Sequence, residues 1–234
     1  MSKLPILMYH NVQEDSEQLK AHSIHCSSLE DQLKYLVENG YTTFHFSELE
    51  TQAALPKKSI IITFDDVTVN QLDFAVPLLE KYNLKATFFI PFHYLGKTDL
   101  WNNGVEPIMT AEQLKSLPAI IELGYHSYKH RHYAGLTLDE VRQDFEDSVE
   151  VVKEHNLTVY PALAYPYGNF PRKDPAKSAF FEILRTYKMK YAVRIGNRIS
   201  QYPFSSEYEI NRIDIKGTES MFGFKWKLKV GKLF

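Results

Sequence analysis

The sequence predicts an α/β fold, a single barrel or distorted-barrel domain, and three observations carry that expectation. Strand-like runs alternate with helical patterns along the 234 residues, as in βα units built on a mostly parallel sheet. At least seven of these runs are strand candidates. Neither a Gly-x-Gly-x-x-Gly turn nor a phosphate loop follows any of them, which disfavours a nucleotide-binding open sheet.

In order, the runs are "PILMY", "SLEDQLKYLVENG", "TTFHF", "SIIITF", "QLDFAVPLLEKYN", "KATFFI", "AEQLKSL", "IIELGYH", "TLDEVRQDFEDSVEVVKEH", "PALAYP", "PAKSAFFEILRTY", "KYAVRI" and "YEINRIDI". Capping boxes mark three helix starts, Ser27 with Glu30, Thr110 with Gln113, and Thr137 with Glu140. In the longest helix Leu138, Val141, Phe145, Val149 and Val152 share one face, as in a helix lying on a sheet. The barrel is expected over 1–217, followed by a basic, aromatic tail or helix over 218–234.

A hydrophobic content of 44% supplies a full core. With 27 basic against 29 acidic residues, a nucleic-acid-binding surface spread over the molecule is not expected. No stretch approaches the ~20 apolar residues of a membrane span, and the apolar run near Met1 is too short for the core of a signal peptide. Those features, with the lone Cys26, point to a cytoplasmic protein. In "HSIHCSS", His22, His25 and Cys26 lack a fourth ligand and the tidy spacing of structural zinc.

"SIIITFDDVT" poses the chemical question, because a β-branched run built for burial ends in two adjacent carboxylates, Asp65 and Asp66. Burying an ionised carboxylate costs several kcal/mol unless a cation, a hydrogen-bond network or solvent offsets it. In "GYHSYKHRHY", His126 and His130 are four apart, a spacing that lets both imidazoles reach one ion. Added to Asp66 they make a two-His, one-carboxylate set that leaves metal positions open for water and substrate. Like charges side by side need different roles, and side chains leaving a strand point in different directions. One aspartate then ligates metal while the other faces water.

"TFDDVTVNQLDFAVPLLEKYNLKATFFI", "ELGYHSYKH" and "AYPYGNF", in that order, resemble the polysaccharide deacetylases, the NodB-homology group of carbohydrate esterase family 4. The resemblance runs from about Leu4 to Ile215 and implies a distorted (β/α) barrel that removes N- or O-acetyl groups from glycans with a divalent metal. It implies Asp65 as general base and Asp66, His126 and His130 as metal ligands. Tyr165, Pro166, Tyr167 and Gly168 would lie along the sugar groove, with the Tyr167 N–H at the oxyanion.

Three positions depart from the family pattern. Val67 stands where a Gly usually follows the aspartate pair, a modest change unless the backbone there needs positive φ. "LAYPY" lacks the Arg that usually orients the base, and Arg212 or Arg194 is the expected substitute. No histidine follows His155 to supply the late acid, whereas "LPILMYHNV" resembles the circularly permuted poly-N-acetylglucosamine deacetylases and implies His10 as general acid.

Together these readings predict hydrolysis of the N-acetyl group of an amino sugar in a glycan or glycan precursor, with zinc the default ion and iron, cobalt or nickel also suited to the ligand set. Tyr94, Trp101, Tyr125, Tyr128, Tyr165 and Tyr167 near the motifs suit sugar stacking, although most aromatics are core. In "MFGFKWKLKVGKLF", Phe222, Phe224, Trp226 and four lysines either dock on the barrel or place an amphipathic segment at the inner face of a membrane. Two rival classes are a non-catalytic glycan-binding module and a metal amidohydrolase acting on a small cyclic amide.

Overall fold

The computed structural model describes residues 1–15 and 22–231. Seven parallel strands form a ring: β1 (Ile6–Tyr9), β2 (Ser59–Asp65), β3 (Ala86–Ile90), β4 (Ile121–Tyr125), β5 (Ala162–Ala164), β6 (Tyr191–Ile195) and β7 (Ile210–Asp214). Each strand hydrogen-bonds to the next in sequence, and β7 closes the ring onto β1 through Ile213↔Leu7 and Asp214↔Met8. The helices are α1 (Cys26–Glu38), α2 (Phe46–Leu49), α3 (Val76–Lys81), α4 (Ala111–Lys115), α5 (Leu138–Glu154), α6 (Ala176–Thr186) and α7 (Met221–Val230). None of them is long and apolar enough to cross a membrane.

β2 shows how the sequence builds this ring. All seven residues are buried, because alternate side chains serve different interiors. Ile60, Ile62 and Phe64 join Leu33 of α1 and Leu79 of α3 in the layer between barrel and helices. Ile61 turns into the barrel with Ile6, Phe89, Val193 and Ile210. Phe44, Phe46, Leu49 and Leu55 belong to that inner cluster too. Further along the same inner face of β2 the residues become polar, Thr63 and then Asp65, so the chemistry collects at the carboxyl ends of the strands.

Three local expectations are corrected. α1 begins at Cys26 with His25 as its cap, the imidazole accepting from the Ser27 N–H, so Ser27 and Glu30 form no capping box. The boxes at Thr110 and Thr137 are both present. Only Thr42–Thr43 of "TTFHF" is strand, because Phe46 starts α2 and is drawn into the inner cluster. The buried face of α5 is Val141, Asp144, Phe145 and Ser148, with Leu138 exposed, since Asp144 finds hydrogen-bond partners that make its burial tolerable. In the 218–234 segment Phe224 is buried while Phe222 and Trp226 are exposed, and residues 232–234, including Lys232, lie outside the described residues.

Candidate active site

Asp65 is the last residue of β2 and points into the barrel beside Arg212 of β7. Arg212 Nη1 donates to Asp65 Oδ1 at 2.6 Å and Nη2 to Oδ2 at 2.7 Å, a two-pronged ion pair, and Nη1 also donates to Thr63 Oγ1 at 3.1 Å. The guanidinium is 0% exposed. Burial alone would raise the Asp65 pKa, but the charge and hydrogen bonds of Arg212 outweigh it, holding the carboxyl well below its usual range. Of the two arginines considered in the sequence, Arg194 follows the inward-facing Val193 on β6 and lies on the other face.

One residue later the chain leaves the strand in a left-handed conformation, with φ of 79° at Asp66 and 46° at Val67. The position does require the backbone freedom a glycine supplies, and the β-branched Val67 occupies it under strain. Its side chain is fully buried in the outer core, which offsets that strain. The turn swings Asp66 toward His126 and His130. Its Oδ1 lies 3.5 Å from His126 Nε2 and 3.4 Å from His130 Nε2.

His126 follows β4, and its Nδ1 lies 2.7 Å from the Ala164 carbonyl of β5. An N–H on Nδ1 donates there, leaving the Nε2 lone pair to face the site. His130 takes φ of 52° and sets Nδ1 3.3 Å from the Tyr167 hydroxyl. Burial lowers the pKa of both imidazoles, so their approaches to Asp66 are not ion pairs. Burial, then Asp65 and Asp99, push Asp66 well above the ordinary carboxylate range. Its Oδ1 is buried without a hydrogen-bond partner. Two neutral imidazoles around an orphaned carboxylate oxygen, with donor atoms within 4.8 Å of one another, fit a divalent cation that all three could ligate.

His10, just past β1, puts Nε2 3.9 Å from Asp65 Oδ2. Burial lowers its pKa to about 4, against the opposing pull of Asp65 and Asp214. His10, Asp65, Asp66, His126, His130 and Tyr167 all line one cavity of about 260 Å³. The histidine cluster near Cys26 does not form. His22 instead sits beside His10, ring centroids 5.2 Å apart, while His25 spends its nitrogens on Ser27 and the Glu14 carbonyl.

Within "YPYG" only the Tyr167 side chain is exposed, at 47%. The Tyr165 ring packs in the core and its hydroxyl donates to the Tyr208 carbonyl at 2.9 Å, yet the residue also lines the cavity beside Tyr167, while Pro166 is buried. Gly168 has φ of 62°, and a Cβ there would come 2.8 Å from the Ile195 backbone nitrogen, so only glycine fits. His132 stacks on Tyr167 with ring centroids 3.9 Å apart, and Trp101 stacks on His130 at 4.2 Å.

Four further residues shape the site. Gln71 opens a π-helical turn, and its amide donates to the backbone carbonyls of Asp65 at 2.6 Å and His10 at 3.0 Å, tying β2 to β1. Asp144 of α5 accepts from the Tyr128 N–H at 3.0 Å and the Tyr133 hydroxyl at 2.8 Å, holding the loop that carries His130. Asp99 and Asp214 also line the cavity.

A family model described as polysaccharide deacetylase matches residues 52–179, more than half of the chain. YxkH of Bacillus subtilis is 30% identical over 174 residues, covering 72% of this chain and 58% of its own length. The poly-beta-1,6-N-acetyl-D-glucosamine N-deacetylase of Staphylococcus epidermidis is 28% identical over 182 residues, covering 71% and 61%. The chain therefore spans about three fifths of the length of these two relatives. Among solved structures, the deacetylase PplD of Streptococcus pyogenes superposes with a TM-score of 0.79 at 23% identity, covering 97% of this chain and 98% of its own. IcaB from Ammonifex degensii gives 0.77 at 22%, covering 98% and 97%. Both share the barrel fold. With the family model spanning the Asp65–Asp66 pair, the two histidines and "YPYG", the chain belongs to the polysaccharide deacetylase family.

Proposed function

We propose that the chain is a metal-dependent deacetylase that hydrolyses the N-acetyl group of an amino sugar within a glycan or glycan precursor. The observation that carries the reading is the convergence in one cavity of the Arg212-paired Asp65, His10 and the orphaned Asp66 with two neutral histidines. Asp66, His126 and His130 would hold the ion, with zinc the default for imidazole and carboxylate donors. When bound, a divalent ion supplies Lewis acidity, polarising the acetyl carbonyl and lowering the pKa of water from ~15.7 toward ~7.

The chain's own groups perform the proton transfers. Arg212 keeps Asp65 ionised and fixed by both oxygens, so Asp65 takes a proton from the attacking water. That proton must reach the departing nitrogen, since an amine anion is too poor a leaving group at neutral pH. His10, neutral at rest and 3.9 Å from Asp65 Oδ2, is placed to receive it and deliver it to the amine. The Tyr167 backbone N–H is assigned to the developing oxyanion, a contribution worth roughly 10²–10³ in rate per donor. Tyr167 and Trp101 offer rings at the cavity for a sugar face.

The test is metal content by elemental analysis of wild type, Asp66→Ala and His126→Ala, with acetate release from N-acetylglucosamine oligomers assayed on the same samples. About one equivalent of metal in the wild type, lost in both variants together with activity, is expected. Wild-type protein that takes up no zinc, nickel or cobalt would overturn the proposal and favour a binding module. Metal-loaded protein that hydrolyses small cyclic amides and spares the sugars would point to the amidohydrolase reading.

A further inference from the structure

α7 plays no part in the site described above, and its two sides differ sharply. Phe224, Lys227 and Leu228 are buried. Phe224 packs edge-on against Tyr35 of α1 with ring centroids 6.2 Å apart, and Lys227 pairs with Glu219. On the other side Phe222 is 76% exposed, Trp226 43% and Val230 47%. Their spacing of four aligns them in one stripe, and the Phe222 and Trp226 rings stack 6.3 Å apart. Three of the nine exposed large hydrophobic side chains among the described residues thus fall on this one helix. Exposed apolar residues scattered singly need no explanation, whereas a contiguous stripe does.

The charge around the stripe identifies what covers it. Lys225 and Lys229 are exposed beside it, and Met221–Val230 contains no acidic residue. A two-fold contact between copies of this chain would bring those lysines toward their own counterparts, an unfavourable pairing. Anionic lipid headgroups complement them, and aromatic side chains favour the boundary between headgroups and acyl chains.

We propose that this face of α7 seats the protein on an anionic lipid bilayer. Phe222, Trp226 and Val230 enter the interfacial layer while Lys225 and Lys229 meet the headgroups. The buried side of the helix ties this contact to the catalytic end of the barrel. Lys227 Nζ donates to the backbone carbonyl of Asp214, whose residue lines the cavity, so docking through α7 holds the cavity close to the bilayer surface.

The experiment is flotation of the full chain with vesicles of phosphatidylcholine alone or with phosphatidylglycerol added. The chain is compared with a Phe222→Ser/Trp226→Ser variant and a Lys225→Glu/Lys229→Glu variant, each checked by circular dichroism. Binding to phosphatidylglycerol vesicles that weakens with salt and falls at least about tenfold in each variant is the expected result. Lys225 Nζ also lies 4.8 Å from the Tyr35 ring centroid, so a Lys229→Glu single variant, which leaves that contact in place, keeps the test sound should either double variant fail to fold. Absence of flotation with anionic vesicles overturns the proposal, as does flotation unchanged in the lysine variant or equal on phosphatidylcholine alone. Light scattering showing a dimer that the aromatic variant dissociates, without flotation, assigns the face to a second copy instead.

Discussion

Replacing Arg212 with Met tests the reading of the site at its most buried charge. Asp65 is 2% exposed and gives both oxygens to Arg212, so the substitution strands a carboxylate in the barrel interior. Removing one partner of such a pair costs about 3–5 kcal/mol, because the remaining charge keeps its desolvation penalty. The sign with pH follows from the pair. Wild-type Asp65 has a depressed folded-state pKa, so its stabilisation is present above the ordinary carboxylate range and is lost on acidification. Arg212→Met lacks that stabilisation and is weakest at neutral pH relative to wild type. Adding Asp65→Asn removes the stranded charge and should recover about 2–3 kcal/mol as a coupling energy. Urea denaturation of wild type, both single variants and the double variant, at pH 7 with a chelator present, completes the cycle. A bound divalent ion should shrink the penalty by supplying a second cation near Asp65. In kinetics the acid limb of kcat/KM should move to higher pH in Arg212→Met. A loss below about 1 kcal/mol with no coupling to Asp65→Asn would refute the claim that this ion pair holds the base ionised.

Asp65→Asn should retain metal while turnover falls by roughly 10²–10⁴, read by elemental analysis and acetate release; loss of metal instead would mean that the two aspartates have exchanged roles. Val67→Gly relieves about 1–2 kcal/mol of left-handed strain but gives up about 1.5–3 kcal/mol of side-chain burial and adds about 0.5–1 kcal/mol of chain entropy. Burial wins, and urea melts should show a net loss of about 1–2 kcal/mol. His10 titrates near 4 when folded against 6.5 when free, so the unfolded chain binds the extra proton and stability should drop as pH falls through that window. The drop is on the order of 3 kcal/mol, and His10→Asn should flatten it in denaturation series at fixed ionic strength. Asp144→Ala removes the acceptor for the Tyr128 N–H, and zinc affinity should fall about 10–100-fold because His130 is no longer held.

What the sequence disclosed and what it withheld divide along local against non-local cause. Capping at Thr110 and Thr137 depends on residues three apart, and those helix starts are as expected. Ser27 and Glu30 satisfy the same pattern, yet the His25 imidazole reaches the Ser27 N–H first and moves the helix start. "TTFHF" has strand composition, but an inner cluster assembled from distant residues draws Phe46 in and converts that end of the run to helix. Arg212 was legible as a cation inside an alternating strand whose inward positions are Ile210, Arg212 and Asp214. Gln71, Asp99 and Asp144 were not, because each acts through partners fixed only by the closed barrel. For Gln71 those are the carbonyls of His10 and Asp65, 61 and 6 residues away.

The closed ring also explains why a histidine far ahead of the aspartate pair can serve the same chemistry. In a ring of parallel strands none is terminal, and β1 hydrogen-bonds to both β7 and β2. His10 at the end of β1 therefore lies between Arg212 and Asp214 on one side and Asp65 on the other, whatever the order of the segments in the chain. The groups we assign to proton transfer thus occupy or follow β7, β1 and β2, while the imidazoles we assign to a metal follow β4. β2 pairs with β1 on one side and is separated from β4 only by β3 on the other, so the residues at its carboxyl end face both sets. Asp65 is the last side chain that the strand turns inward toward Arg212, and Asp66 is the first that the left-handed turn releases toward His126 and His130. Two adjacent carboxylates are what that junction needs, one for each half of the site.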